Sequence, residues 1–492
     1  MNADRQPEAA KTTSVLGPGL VLFLFVFSMR LWLILVWGSP VPYWDQWNAE
    51  ALGLFRPWLE GTMHWSDLFA AHNEHRIALT RLADLAFLCL DGRWNVWWQL
   101  VLNAALHAAT AAALVCFFRP DRNGPVRAIW LLGLAVLFAV PSGWQNALWG
   151  FQSQVYFDSL LTVLSLGWLL TAKPLSSRWW FGWFCALLAL GAVGSGVLAA
   201  TTATAIIAAA LIMSFVTRSP IEDSVDKASN VWGLFLIGAI ILLGVLLQVK
   251  VPQHEPLRAH SLMQFGAVFL RCLSWPWVNS GWLWIVTQAP LLYFLGSCIR
   301  RRSPTTAHER LILGLGLLAG LHAAAVAYSR GAGLLDARPL SRYQDPLLLG
   351  VAANLMVSLQ FIPLHRVGRI AGLLWSGVLL AGLIELTTTN LSLNLPFKRA
   401  QDNASLTQIR AYLATHDATI FTRDPAVTGP HPDPAIVRRV LDDPLFRPIL
   451  PEEFTDVSVP VPRLIDFGPW LALLSGLSLL GVSINWCRRS RP

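Results

Sequence analysis

Between Pro40 and Arg81 an otherwise charge-poor chain gathers Asp45, Glu50, Glu60, Asp67, Glu74, His64, His72, His75 and Arg76 among four tryptophans, Trp44, Trp47, Trp58 and Trp65. Carboxylates and imidazoles beside aromatic rings supply proton transfer and hydrogen bonds to hydroxyls or phosphate. Asp45 sits in YWDQW, shortly after a long apolar run ending at Trp37. At a bilayer surface a carboxylate flanked by rings is partly desolvated, a setting expected of a general base. The same position suits the N-cap of a helix starting at Gln46, so both readings stand at this point.

The run HNEHR, residues 72–76, is the second polar cluster. As a helix it would place His72, His75 and Arg76 on one face, with Glu74 displaced from it. Glu74 is the candidate second acid. Trp44, Gln46, His72, Asn73, His75 and Arg76 are candidates for binding sugar hydroxyls or phosphate. His72 and His75 with a carboxylate leave room for a divalent cation, but HxxH is not the HExxH pattern and no third ligand is evident, so no metal ligand is assigned.

Two further stretches offer binding groups. SRGAGLLDARPLSRYQD, residues 329–345, carries Arg330, Arg338, Arg342 and Tyr343. Its arginines fall on what the topology below makes the outer face, against the inside bias of basic residues, which points to an anion such as a lipid phosphate held by guanidinium forks. Lipid-headgroup contact together with an Arg342–Asp345 pair is the competing explanation. WQNALWGFQSQ brings Trp144, Trp149 and Gln152, stacking faces and amides suited to a pyranose ring, although an interfacial aromatic belt has the same composition. GAVGSGV, residues 191–197, fits a phosphate nest or a tight hairpin between spans.

The elements that must hold these groups are membrane helices. Of the residues, 54% are apolar and 13% charged, and mean hydropathy is +0.50, a balance that excludes a soluble globular surface for a chain of 492 residues. The first apolar run, Val15 to Trp37, exceeds a signal-peptide core and has no small-residue cleavage site before Pro40, so it is expected to remain as a span. The six cysteines are scattered without CxxC or CxxH spacing and suggest neither disulfides nor zinc. The net charge of +8 resides in short clusters between spans, which sets topology and argues against nucleic acid.

Stretches near 15–37, 96–118, 126–141, 157–172, 179–193, 197–216, 231–250, 281–299, 310–328, 345–362, 369–387 and 467–486 could each cross a bilayer. With the N-terminus inside, the arginine- and lysine-rich connections fall inside as well. The expectation is an all-α polytopic membrane protein of about twelve transmembrane helices with both termini cytoplasmic. Residues 1–387 form its core, with a helical first external loop over 38–95. Residues 388–466 form a small external segment, and 467–492 the last helix and a basic tail. The external segment is too short and polar for a core of its own and should dock on the other external loops.

This arrangement resembles the GT-C superfamily of integral-membrane glycosyltransferases. The topology carries the resemblance over most of the chain, and PYWDQW, HNEHR, WQNALWGFQ and SRYQD carry it at motif level. The resemblance implies a polyprenyl-phosphate sugar donor, an acceptor glycan, lipid or protein, and an acidic residue at the start of the first external loop acting as base or substrate anchor, which maps onto Asp45. Gln46 follows where some members have a second acid. The expected activity is sugar transfer on the extracytoplasmic face of a bacterial inner membrane. The rival is a transporter or flippase of lipid-linked sugars, which would place its polar groups at the bilayer midplane on broken helices, whereas here most lie in external loops.

Overall fold

The computed structural model describes residues 16–118, 124–217, 227–303, 305–335, 340–360, 366–423, 429–456 and 458–489. The chain is an all-α membrane protein, whose single sheet among the described residues is a two-stranded hairpin. Among the described residues seven helices are long and apolar enough to cross a bilayer, and an eighth arises if the pair Gly281–Thr287 and Ala289–Arg301, bent by 54°, is taken as one span.

The other four expected spans are helical but do not meet that standard. Gly124–Ala139, Ser177–Ala189 and Leu347–Gln360 have 16, 13 and 14 residues. At about 1.5 Å per residue they reach only about 20–24 Å of a hydrocarbon core about 30 Å thick. Ser153–Thr171 is longer, but Gln154, Asp158, Thr162 and Ser165 face inward along it. Leu347–Gln360 is buried on nearly every side, and its Leu348, Ala352, Met356 and Val357 pack with Leu131, Leu134, Leu311 and Leu315 in the main apolar core.

Polar groups inside this core close helix ends. Arg30, 1% exposed on Leu16–Trp37, donates from Nε and Nη2 to the carbonyl of Phe138 at 3.2 and 3.0 Å and from Nη2 to that of Val140 at 3.3 Å. Its positive charge thus sits on the orphan carbonyls where Gly124–Ala139 ends. His107 Nε2 lies 2.8 Å from the same guanidinium. His107 and His322 are both buried in the bundle, as ionisable residues within spans must be.

The helix Arg366–Thr389 does not stop at the membrane surface. It passes through a π-helical turn, Asn390–Asn394, into Leu395–Thr415, giving a continuous run of 50 residues, about 75 Å long. Its far end carries residues 388–466 onto the loop over 38–95, where the two share one apolar core. Val41, Trp47, Leu54, Phe55, Leu85 and Trp94 pack there with Ile409, Tyr412, Val437, Val440, Phe446 and Phe454. The Trp94 backbone N–H bonds the carbonyl of Ile449 at 2.6 Å, and Trp97 Nε1 bonds Glu453 Oε1 at 2.8 Å.

Within the first loop, Gln46–Phe55 is π-helical and leads into Arg56–Leu59, followed by a 3-10 turn at Trp65–Phe69. HNEHR is not helical. Ala71–His72 pairs antiparallel with His75–Arg76 through a turn whose Asn73 has φ +50°. Asn tolerates this left-handed conformation better than most residues, and a helix cannot continue through it. Helix resumes at Ala78–Asp91 and ends at Gly92, φ +68°.

Candidate functional site

Asp45 occupies the N-cap position of the π-helix, but its side chain makes no capping hydrogen bond and its backbone, φ −57° and ψ −19°, is already helical rather than extended. The carboxylate keeps 30% of its surface and lies 3.3 Å, Oδ1 to Nε2, from His72. Its neighbour Trp44 has φ +46°, a conformation that costs a bulky residue about 1–3 kcal/mol and persists only where surroundings enforce it. Those surroundings are the carbonyl of Pro430, which accepts from Trp44 N at 2.8 Å, and the rings of Tyr43 and Trp149, centred 5.5 and 6.4 Å away. Asn48 is bonded to His431 at 3.0 Å, so the segment 388–466 covers this turn directly. The Trp44 indole N–H is buried without a partner.

The other loops reach the same turn. Trp149 Nε1 donates to the carbonyl of Tyr43 at 2.9 Å, and Asn103 Nδ2 fixes the carbonyls of Asn146 and Trp149 at 3.2 and 3.0 Å. Asn146 Nδ2 donates in turn to Arg342 O and Asp345 Oδ2 at 3.0 and 2.9 Å, while Ser341 Oγ donates to Gln145 Oε1 at 3.0 Å. The residues around 145 and 341–345 therefore move as one piece. Gly143 is required beneath them, since a Cβ there would lie 2.1 Å from both carboxylate oxygens of Asp345. Burial raises the Asp345 carboxyl above its ordinary value, against the opposing pull of Arg30 and Asn146. Arg342 rests its guanidinium 5.2 Å over the Tyr343 ring, and among the described residues no carboxylate is within ion-pair distance of it. In place of the Arg342–Asp345 pair of the competing explanation, Asp345 takes the Asn146 amide. Tyr43 is pushed up to about 12 by burial first, then by Asp402, with Arg342 opposing.

Glu74 lies at the turn of the hairpin, where its Oε1 accepts from His254 Nδ1 at 2.5 Å and from Arg330 Nη1 at 3.4 Å. Burial alone would raise its pKa, but the His254 hydrogen bond and the Arg330 charge outweigh it and hold the carboxyl below the usual range. Those are the surroundings of a fixed anion, and they also balance Arg330. His75, opposite His72 in the hairpin, is driven down to about 4, chiefly by burial, and is neutral. Its Nδ1 accepts from Gly194 N at 3.1 Å, leaving the proton on Nε2. Residues 194–196 thus serve the hairpin as a turn, Gly194 being small because a Cβ would meet His75 Nδ1 at 2.8 Å.

The candidates separate accordingly. Tyr43, Trp44, Asp45, His72, Trp149 and Arg342 converge, with Glu74, His75 and Arg330 adjoining through the hairpin. Asn73 forms the turn itself and reaches His72 Nε2 at 3.1 Å. Arg76 is committed to the carbonyls of Phe69 and Leu247 at 2.6 and 3.3 Å. Trp144 packs with Leu31, Ile34 and Trp97 in a different cluster from Trp149, and Gln152 is buried at the head of Ser153–Thr171. Gln46 is fully buried behind Asp45. Arg338 lies outside the described residues. Among those residues no three His, Cys, Asp or Glu side chains are placed to hold a metal ion.

Sequence reasoning missed what lies behind Asp45. Glu50 and Asp84, 1% and 3% exposed, are joined by Gln99, whose Nε2 donates to Glu50 Oε2 at 2.9 Å and Asp84 Oδ1 at 2.8 Å. Gln99 lies on the span Val96–Phe117 and Asp84 on Ala78–Asp91. Only the internal position of Gln99 in an apolar helix hinted at a polar partner. No protein-family model matches the sequence, and no curated protein matches it.

Proposed function

We propose that the protein transfers a sugar from a polyprenyl-phosphate-linked donor to a hydroxyl of a glycan, lipid or protein acceptor on the extracytoplasmic face of a bacterial inner membrane. The observation that carries this reading is the accessible carboxylate of Asp45, which caps no helix, beside the rings of Tyr43, Trp44 and Trp149, with the guanidinium of Arg342 on the adjoining loop and no carboxylate among the described residues within ion-pair distance of it. As the acceptor oxygen bonds to the anomeric carbon, its proton passes to Asp45 and the bond from that carbon to the phosphate oxygen breaks. The electron pair leaves with polyprenyl phosphate, and Arg342 offsets the charge gathering there. Glu74, held as an anion by His254 and Arg330, shapes the hairpin that presents His72 and is not assigned a proton-transfer role.

Purified protein in lipid nanodiscs, given a polyprenyl-phosphate sugar and candidate acceptors, is expected to form glycosylated product detectable by mass spectrometry. Arg342→Gln removes a charged hydrogen bond worth about 1.5–3 kcal/mol and should raise the donor KM by about 10- to 150-fold. Unchanged donor kinetics would assign Arg342 to headgroup contact, and transmembrane movement of the lipid-linked sugar without transfer would favour the flippase.

The mechanism requires about twelve spans with both termini cytoplasmic, the short helices being completed by their flanking residues. In a background lacking Cys89, cysteines at Thr62 and Ala418 should react with a membrane-impermeant maleimide from outside, and one at Ser303 only after permeabilisation. External labelling at Ser303 would put the site on the wrong face.

A further inference from the structure

The contacts of Glu50 and Asp84 leave a specific deficit. Glu50 Oε2 accepts from Gln46 Nε2, Trp94 Nε1 and Gln99 Nε2 at 3.2, 2.8 and 2.9 Å, while Glu50 Oε1 is buried with no partner among the described residues. Asp84 Oδ1 accepts from Gln99 Nε2, while Asp84 Oδ2 is likewise buried and unpartnered. Two ionised carboxylates sharing one amide would each carry a bare oxygen in a water-poor site, and neither charge could relieve the other. Arg81, 4% exposed and three residues before Asp84 on the same helix, supplies one positive charge, with Nη1 anchored on the carbonyls of Asp67, Leu68 and Ala70 at 2.8, 3.2 and 2.5 Å. One cation balances one anion, so the pair is neutralised when a single proton occupies one of the bare oxygens.

We propose that Glu50 and Asp84 hold one proton between them and that this protonated pair is the positioning device for the turn carrying Asp45. The mechanical link is Gln46. Its Nε2 donates to Glu50 and to Gln99 Oε1 at 2.8 Å, and its Oε1 accepts from Tyr43 N at 3.0 Å, so the amide spans the turn from Tyr43 to Glu50 with Asp45 inside it. Charged groups around the pair are few. Asp45 acts on Glu50 from the head of the same helix, Arg81 acts on Asp84 and only secondarily on Asp67, whose own carboxylate accepts from His64 N, and His431 of the covering segment bonds Asn48 rather than either acid. Burial is the main force holding the proton. It raises Glu50 to about 7 against the three donors, and it raises Asp84 well above its ordinary value with Glu50's charge adding to the effect.

The sign of the pH effect follows. Glu50 has an ordinary value of 4.5 and binds its proton more tightly folded than unfolded, so its contribution to stability is full below that value and is lost as pH climbs through about 7. The pair itself is argued from contacts alone, and only its bearing on Asp45's chemistry rests on the transfer reading.

The test uses the full-length chain in detergent, without substrate. Wild-type melting temperature should fall between roughly pH 5 and pH 8, and amide exchange across residues 43–50, corrected for its intrinsic pH dependence, should accelerate over the same range. Glu50→Gln reproduces the shape and hydrogen count of the protonated acid. It should keep the low-pH melting temperature, flatten the pH dependence and hold slow exchange at high pH, and Asp84→Asn should do the same. Glu50→Ala should melt lower and exchange faster at every pH. Amide variants as damaged as Glu50→Ala, or failing to fold, would show that both acids must be ionised and overturn the proposal. So would a pH-independent wild type, or a wild type stabilised by millimolar Mg²⁺ or Mn²⁺ while Glu50→Gln is not, which would assign the bare oxygens to a cation. None of these outcomes depends on whether sugar transfer is the activity.

Discussion

Asp45→Asn is expected to lower turnover by about 10² to 10⁴-fold, the usual contribution of a general base, with donor binding largely retained. Asparagine keeps the size of the side chain and its hydrogen bonding and removes only the proton acceptor. The substitution also separates catalysis from capping, because Asn and Asp are nearly equivalent N-caps. Here the separation is sharper than usual, since the Asp45 side chain caps nothing. Melting temperature should therefore change little while single-turnover transfer collapses. Near-normal transfer by the purified variant would remove Asp45 from the mechanism whatever its surroundings.

Gly150→Ala should be strongly damaging for so small a substitution. A Cβ at residue 150 would stand 2.2 Å from Gln99 Oε1, 2.9 Å from Gln46 Nε2 and 3.0 Å from Gln99 Cβ. The contact reaches the root of the Gln99 side chain, so rotating the amide away does not relieve it. Overpacking costs about 1–3 kcal/mol and each buried bond lost around Glu50 about 1–3 more, giving an expected loss of about 2–5 kcal/mol. Gly238→Ala is the control, because no atom lies within 4 Å of the added methyl on the helix Lys227–Leu246. A Gly150→Ala protein that melts like the Gly238→Ala control would mean that the amide bridge behind Asp45 is loose.

The sequence was most informative where one physical signal dominated. Long apolar runs gave the helices, and alternating basic clusters suggested how they are ordered, but whether a run of 14 or 16 residues crosses a membrane depends on neighbours that periodicity cannot see. The π-helix beginning at Gln46 was readable as a helix start after a proline-rich exit from the first span. The hairpin at 71–76 was not, because the i, i+3, i+4 spacing of His72, His75 and Arg76 is equally compatible with two strands joined at Asn73, and only that residue's left-handed backbone decides between them. Asp45, Trp149 and Arg342 could be picked from their loops by chemistry alone. Glu50, Asp84 and Gln99 could not, since each looks ordinary on its own segment and gains meaning only when three elements distant in sequence meet. Glu74 shows the converse, a conspicuous acid whose partners, His254 and Arg330, lie far along the chain and fix it as an anion.

The core shared by the loop over 38–95 and the segment 388–466 bears on how the protein is made. Trp47 and Phe454 pack in the same cluster, although about 400 residues of mostly membrane helix are synthesised between them. At about 5–20 residues per second the first loop waits roughly 20 to 80 s before its covering exists. During that interval Trp47, Phe55 and Trp94 lack this covering, and the Pro430 carbonyl that accepts from Trp44 N does not yet exist. The candidate site is thus complete only once the long helical run Arg366–Thr415 and the residues that follow it have been made. A nascent chain stalled before that helix would display a greasy, unformed loop that quality-control proteases could recognise, and the finished protein would be distinguished from it by the disappearance of that loop from their reach.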